Sequence, residues 1–214
     1  MTTPAITWPA VFDGIGALVV NCALDPDALA AKIPSLTWIA PKVGGTDVAA
    51  ESETRHCVAR WTDLGLRVAS WVYCTGPPRD DVRIGYPAWY VPAAVIYDVE
   101  AEYKSDEGGH FEWAAELVER HDEFYMGKVP AAVTSYGGYK TSIDFAAFAR
   151  AGWPILAQCY DAYNPADHSE WSYMQPGSAL RAAGPYPPEG VHRLLRSLIL
   201  KPGEAVYRPE GIDG

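Results

Sequence analysis

The stretch Pro92-Ala-Ala-Val-Ile-Tyr-Asp-Val-Glu-Ala-Glu-Tyr103 begins as an apolar run and ends in three carboxylates. Its first half is typical of a short buried strand. Because side chains alternate along a strand, Asp98, Glu100 and Glu102 are predicted to share one face. Three like charges are costly to bury, so this face must meet water. Two interpretations follow: a polar cleft at the end of the strand, or the solvated face of an edge strand.

The rest of the chain alternates apolar runs with amphipathic segments. Strands are predicted at 16–24, 36–42, 66–74, 93–100, 130–136 and 154–160, and helices at 25–33, 51–65, 109–126 and 143–151. Near-continuous apolar strands that alternate with helices indicate a parallel sheet covered by helices. The predicted fold class is therefore α/β, as a small, irregular TIM-like (β/α) barrel. One domain is expected over 1–214, with 203–214 as an extended C-terminal tail.

A doubly wound open sheet is the alternative fold. Its nucleotide-binding forms carry a Gly-x-Gly-x-x-Gly turn after the first strand, and no such turn is present. Three local predictions are open to test. Asp25 and Pro26 are expected to begin a helix as N-cap and first residue, and 79–90 is expected to be a connection without a helix. The apolar stripe of the 109–126 helix is predicted at Phe111, Ala114, Ala115 and Val118.

Charge and composition exclude several classes of partner. The chain has 214 residues, a formal net charge of −10 and a pI of about 4.9. Without a basic stripe, binding to nucleic acid or to an anionic membrane is disfavoured. No signal peptide and no apolar run of membrane-spanning length are visible. We expect a protein made in the cytoplasm without a signal peptide, then released by lysis or carried on a virion.

Cysteine and histidine spacing predicts no metal site and no cofactor. The cysteines, Cys22, Cys57, Cys74 and Cys159, form no Cys-x-x-Cys pair and are expected to be buried, reduced thiols. A single nucleophilic cysteine with a histidine partner stays open. The histidines are expected at the surface: His56, His110, His121, His168 and His192.

In a barrel the active site lies at the carboxyl ends of the strands. The residues predicted there are Asn21, Lys42, Tyr73, Asp98, Glu100, Glu102, Ser135, Tyr136, Gln158, Tyr160 and Asp161. This set is acidic and aromatic and lacks histidine, which argues against a histidine-based triad. Lys42 is expected either to pair with Asp98 or Glu100, or to be a solvated lysine. Paired carboxylates suit glycoside hydrolysis, and the 8 Trp and 13 Tyr suit a cleft that stacks sugars.

The strand Ile-Tyr-Asp-Val-Glu100, the later Val-Thr-Ser-Tyr136 and Pro-Ile-Leu-Ala-Gln-Cys-Tyr160 together resemble the family-25 lysozymes. They also resemble the related glycoside-hydrolase-like domains of actinobacteria and their phages. The resemblance covers roughly 16–161 and implies a small, irregular (β/α) barrel.

By that resemblance Glu100 matches the proton donor, and Asp98 matches the carboxylate that supports the developing positive charge. Tyr136 and Tyr160 match rings that line the sugar site. Asn21 stands where the family's first strand ends in an Asp, and no last-strand acid is found after Leu200. These departures bear on turnover more than on fold.

Three functions remain open. The first is a glycoside hydrolase, muramidase-like, with Glu100 and Asp98 as catalytic residues and a cell-wall polysaccharide as ligand. The second is a non-catalytic structural or carbohydrate-binding part of a phage virion, such as a tail protein, with protein partners in a larger assembly. The third is a hard-metal site with Asp98, Glu100 and Glu102 as oxygen ligands. In the first two, substrate-binding roles are expected for Asn21, Tyr73, Glu102, Tyr136, Gln158 and Tyr160.

Overall fold

Strands and helices alternate along the part of the chain that the structure describes. This computed structural model describes residues 9–12, 15–19, 25–105, 108–136 and 143–158. The strands are β1 (Ile15–Val19), β2 (Leu36–Gly44), β3 (Arg67–Val68), β4 (Ser70–Tyr73), β5 (Val95–Asp98), β6 (Ala131–Tyr136) and β7 (Ile155–Gln158). The helices are α1 (Pro26–Lys32), α2 (Glu51–Asp63), α3 (Pro78–Ile84), α4 (Trp113–Tyr125) and α5 (Phe145–Arg150). Two 3-10 turns lie at Ala10–Phe12 and Ala101–Tyr103.

All strand pairs in this region are parallel. The order across the sheet is β1-β2-β4-β5-β6-β7, and β3 pairs with β2. The predicted α/β class is confirmed, and the sheet curls into a half-barrel. A doubly wound sheet reverses its strand order at a switch point, whereas this order follows the chain throughout. Within the described residues no pairing joins β7 to β1, so a closed barrel stays a prediction.

The two faces of the sheet bury different clusters. One face packs against α1 to α5, and the other, which we call the inner face, packs on itself and on the Ala10–Phe12 turn. The inner face combines large and small residues: Leu18, Trp38, Ala40, Ala69, Trp71, Ala94, Ile96, Ala132 and Leu156. The Trp38 indole occupies the space that a side chain at position 16 would fill, because a Cβ on Gly16 would lie 1.7 Å from the ring. The middle of the inner face is therefore solid and apolar.

Most predicted elements are present, with shifted ends. Asp25 caps α1 by accepting a hydrogen bond from the Asp27 amide, and Pro26 opens the helix, as the sequence predicts. The third predicted strand is two short strands, β3 and β4, on either side of Ala69. The fourth predicted strand, 93–100, corresponds to β5 and ends earlier, at Asp98.

Two predictions about helices were wrong. The segment 79–90 contains most of α3, which begins at Pro78 after the N-cap residue Pro77. Proline is tolerated in the first turn of a helix, where its missing N–H would have no partner within the helix, so the two prolines do not exclude a helix here. The buried stripe of α4 is Ala114, Leu117, His121 and Tyr125, while Phe111 and Ala115 are exposed. The predicted helical spacing is correct, but the buried stripe lies on a different side of α4 from the predicted one. The sequence did not reveal this because the stripe includes a polar residue, His121.

His121 also corrects the expectation of surface histidines. It is 2% exposed, and its ring nitrogens contact the Tyr97 hydroxyl and the Val129 carbonyl oxygen, each at 2.9 Å. Burial lowers its pKa, so it is a neutral core residue. His56 and His110 are exposed as predicted, and His168 and His192 lie outside the described residues.

Cys57 and Cys74 are both buried, as predicted, and Cys74 is a free thiol. Burial raises the pKa of Cys74 well above its ordinary value, which argues against a nucleophilic role there. Cys22, Cys159, the 164–188 segment and the predicted tail at 203–214 lie outside the described residues. Across the described ranges, no helix has the length and apolar character needed to cross a membrane.

Candidate functional site at the carboxyl end of the sheet

Strand register gathers polar residues at the carboxyl end of the inner face. Lys42 of β2 pairs with Trp71 of β4, Tyr73 pairs with Asp98 of β5, and Asp98 pairs with Thr134 of β6. Registered neighbours in a parallel sheet point to the same side, so these residues continue the inner face beyond its apolar middle. The site is thus the last layer of side chains on the inner face, next to the apolar layers that fill the half-barrel.

Asp98 lies at the centre of this layer. It is 3% exposed, and the Trp71 indole N–H donates to its Oδ2 at 3.2 Å. Its chain neighbours Tyr97 and Val99 are fully buried on the helix-covered face. The alternation expected from the sequence therefore holds at Asp98, and a buried donor fixes one of its oxygens.

Glu100 and Glu102 reach the site by a different route from the one predicted. The strand ends at Asp98, and the chain turns through Glu100 into the 3-10 turn Ala101–Tyr103. The prediction of three carboxylates on one strand face was wrong for the last two. Alternation fails because hydrogen bonding to β6 stops after Val99, whose amide donates to the Thr134 carbonyl oxygen.

A buried cation accompanies Glu100. Lys104 Nζ lies 3.6 Å from Glu100 Oε2, and the side chains are 2% and 15% exposed. No apolar pattern around Lys104 predicts that this side chain is buried. An ammonium at this distance favours the carboxylate form of Glu100. The pair places a fixed positive charge behind the candidate proton donor.

Lys42 is buried as well, at 7% exposure. Its Nζ lies 5.5 Å from the ring centre of Trp71 and 5.0 Å from that of Tyr73. Burial lowers the pKa of Lys42, while the carboxylates of Asp98 and Asp47 act in the opposite direction. Of the two expectations for Lys42, the structure supports an electrostatic interaction with Asp98 and excludes the solvated lysine.

Tyr73 lies within the electrostatic reach of all three acids. The ring is half-buried, and its pKa is raised to about 12, first by burial and then by the charges of Glu102, Glu100 and Asp98. The phenol therefore keeps its proton at neutral pH and can donate a hydrogen bond. Glu102, predicted to bind substrate, lies in the same group of residues.

Two polar atoms in this region have no hydrogen-bond partner among the described residues. They are Thr134 Oγ1, beside Asp98 in the register, and Glu102 Oε2, and both are buried. A buried polar atom without a partner is costly unless water or a ligand supplies one. The sequence pattern alone did not single out Thr134. Its position, two residues before Tyr136 on the same strand, places both residues on one face of the sheet.

The remaining predicted residues are placed only in part. Tyr136 and Gln158 pair across β6 and β7 at the same end of the sheet, and only their backbones are described. Asn21 and Tyr160 lie outside the described residues. No group of three or more His, Cys, Asp or Glu within the described ranges is arranged to hold a metal ion. The hard-metal hypothesis thus finds no support from the geometry of Asp98, Glu100 and Glu102.

Comparisons with known proteins add one structural likeness. No family model matches the sequence, and no curated protein matches it. A search of solved structures finds the muramidase from Acremonium alcalophilum, with a TM-score of 0.48 and 13% sequence identity. The match covers 68% of this chain and 78% of that one. Similarity at this level assigns neither a family nor an activity to the chain.

Proposed function

We propose that this chain is a glycoside-hydrolase-like protein that acts on a cell-wall polysaccharide. The observation that carries the proposal is the group of Asp98, Glu100 and Glu102 around Tyr73, at the carboxyl end of a parallel sheet. That edge is where parallel α/β folds place their ligands. Hydrolysis of a glycosidic bond needs an acid and an ionised carboxylate on either side of the sugar.

The proposed roles follow from the surroundings of each acid. Asp98 accepts a hydrogen bond from Trp71 and lies near the Lys42 charge, which suits a carboxylate that stays ionised and stabilises positive charge at the anomeric carbon. Glu100 is more exposed and is the proposed acid that gives its proton to the leaving oxygen. The bond between the anomeric carbon and the leaving oxygen breaks as that oxygen takes the proton, and water then adds to the anomeric carbon and returns a proton to the Glu100 carboxylate.

The donor set around the site suits a neutral, hydroxyl-rich ligand. The Tyr73 phenol donates, and the unpaired Thr134 Oγ1 and Glu102 Oε2 are ready to bond water or ligand hydroxyls. The Tyr73 and Trp71 rings supply apolar area beside them. These features support a sugar as the ligand class.

One observation favours a second, non-catalytic function. Lys104 opposes protonation of Glu100, and a general acid must carry a proton. A site with a fixed carboxylate could bind glycan without cleaving it. In that case the chain is a carbohydrate-binding or structural component, and its placement in a phage virion rests on the sequence resemblance alone.

The experiment is to incubate the purified protein with peptidoglycan and with chitin-type oligomers and to count the reducing ends released. Variants Glu100→Gln and Asp98→Asn are compared with Glu112→Gln, whose side chain is 73% exposed. Release by the wild type and by Glu112→Gln, but not by the other two, supports the enzyme. Binding without release, weakened by Tyr73→Ala, supports the second function. Neither release nor binding overturns both.

A further inference from the structure

A second buried acid lies behind the site and has no role in the proposed chemistry. Asp81 of α3 is 2% exposed. The Tyr103 hydroxyl donates to its Oδ2 at 3.1 Å, while the Cys74 thiol and the Thr75 backbone N–H lie close by. Within the described residues, no basic side chain forms an ion pair with it. A buried carboxyl held only by neutral donors is unusual and calls for a reason.

The Tyr103 contact links this acid to the site. Tyr103 is the last residue of the 3-10 turn that follows Glu100 and contains Glu102. Its ring is fully buried and packs edge-on against Trp113 of α4, with centres 5.7 Å apart. The bond to Asp81 is therefore a side-chain hydrogen bond between this turn and α3.

The other side of the turn is held by the backbone that follows it. The amide of His110 donates to the Glu102 carbonyl oxygen at 2.7 Å, and that of Gly109 donates to the Lys104 carbonyl oxygen at 3.0 Å. Gly109 lies so close that a Cβ there would be 2.4 Å from the Ala101 carbonyl oxygen. The turn is thus fixed by a close-packed backbone on one side and by the Tyr103–Asp81 bond on the other.

We propose that Asp81 is a positioning residue: through Tyr103 it holds the Ala101–Tyr103 turn, and a change in its protonation moves Glu100 and Glu102. The importance of these two acids rests on the proposed function, but the mechanical link does not. An ionised Asp81 can only accept hydrogen bonds, and Tyr103 donates to its Oδ2. A protonated Asp81 also carries an O–H donor, and a proton on Oδ2 competes with the Tyr103 O–H for the same contact, so the Tyr103 hydroxyl has to reorient.

The charges around Asp81 place this change near neutral pH. Burial raises its pKa to about 7, and the nearby Glu102 acts in the same direction, against the hydrogen bond from Tyr103 and the polar groups of Cys74 and Thr75. The titratable groups that face it are Tyr103 and Glu102 from the turn, Cys74 at the end of β4 and Tyr97 from β5. Cys74, Tyr97 and Tyr103 have raised pKa values and stay neutral near pH 7, so none of these three changes its charge where Asp81 does.

The test is an NMR titration of the full-length protein with ¹³C-labelled Asp and Glu carboxyls, from pH 4 to pH 9. Asp81 is assigned by the loss of its signal in Asp81→Asn. We expect the Glu100 and Glu102 carboxyl signals to show, besides their own titration, a second inflection with the midpoint of Asp81. This inflection should vanish in Asp81→Asn. It should shrink in Tyr103→Phe, which keeps the acid and removes the link.

Asp80→Asn is the matched control, since Asp80 is exposed and adjacent on the same helix; it should leave the second inflection in place. Single inflections at both glutamates in the wild type, or a second inflection that persists in Asp81→Asn, overturn the proposal. If Asp81→Asn does not fold, the wild type and Tyr103→Phe decide the question. No glycan is used, so a failure of the proposed function leaves this result unaffected.

Discussion

The indole N–H of Trp71 donates to the Asp98 carboxylate at 3.2 Å, joining the apolar middle of the inner face to its acidic end. Trp38, in the same cluster, has an indole N–H without a hydrogen-bond partner among the described residues. The two tryptophans are 3% and 2% exposed, so they differ in hydrogen bonding far more than in burial. This contrast shows that the inner face uses one tryptophan for packing and one for packing and charge stabilisation.

Replacing Trp71 by Phe should therefore destabilise the fold more than replacing Trp38 by Phe. Both changes remove similar volume, but only Trp71→Phe removes a hydrogen bond to Asp98 Oδ2, and a bond to a charged acceptor contributes about 1.5–3 kcal/mol. Urea unfolding at pH 7 measures the difference. Equal losses in the two variants would show that the hydrogen bond contributes nothing.

Glu100→Gln should lower glycan hydrolysis on the order of 100-fold or more, because the amide cannot give a proton to the leaving oxygen. The protein should still fold, but its unfolding midpoint should fall, because the buried Lys104 ammonium loses this ion-pair partner. Reducing-end release measures the rate, and thermal unfolding provides the control for folding. Turnover that survives the substitution removes Glu100 from the role of acid.

Lys104→Met should lower the free energy of unfolding by on the order of 3 kcal/mol at pH 7, because it removes the buried ammonium that lies 3.6 Å from the Glu100 carboxylate. Adding Glu100→Gln should restore much of that loss, since a neutral pair no longer needs charge compensation. Chemical unfolding of the two single variants and the double variant gives the coupling. If the losses in free energy of unfolding are strictly additive, Lys104 and Glu100 do not stabilise each other, and the ion pair is refuted.

Asp81→Asn should become more stable relative to the wild type as pH rises. Burial raises the Asp81 pKa from 3.8 to about 7, so the folded protein holds this proton more tightly than the unfolded chain. The stabilisation is complete below pH 3.8 and is lost as pH rises through about 7, an effect on the order of 4 kcal/mol at most. Unfolding curves at pH 5 and pH 8 measure it, with Asp80→Asn as control. A constant difference between the variant and the wild type would refute the linkage.

Gly109→Ala should disturb the Ala101–Tyr103 turn, because a Cβ would lie 2.4 Å and 2.5 Å from the carbonyl oxygens of Ala101 and Glu102. We expect a loss of about 1–3 kcal/mol and a shifted Glu102 carboxyl signal. Gly76→Ala is the matched control, since a Cβ there meets nothing within 4 Å. If Gly76→Ala shifts the Glu102 signal equally, the close approach at Gly109 does not position the turn.

Local sequence patterns were sufficient for much of the fold. The apolar run that precedes Asp98 predicted its strand, and Asp25 with Pro26 predicted a helix start, because alternation and capping depend on residues only a few positions apart. Where a pattern was interrupted, the prediction failed. Pro77 and Pro78 are typical of a loop, so the sequence did not predict α3. The polar His121 interrupts the apolar pattern of α4, so its buried stripe was predicted on the wrong residues.

The sequence by itself determined that acids follow an apolar strand in a parallel α/β chain, and hence that Asp98 belongs to a polar end of the sheet. Only the tertiary structure decided which other ionisable side chains are buried. Lys42, Lys104 and Asp81 look like ordinary surface residues in the sequence, and each is at most 7% exposed. Their burial depends on strand register and on turns that bring distant residues together, and no local periodicity encodes those contacts.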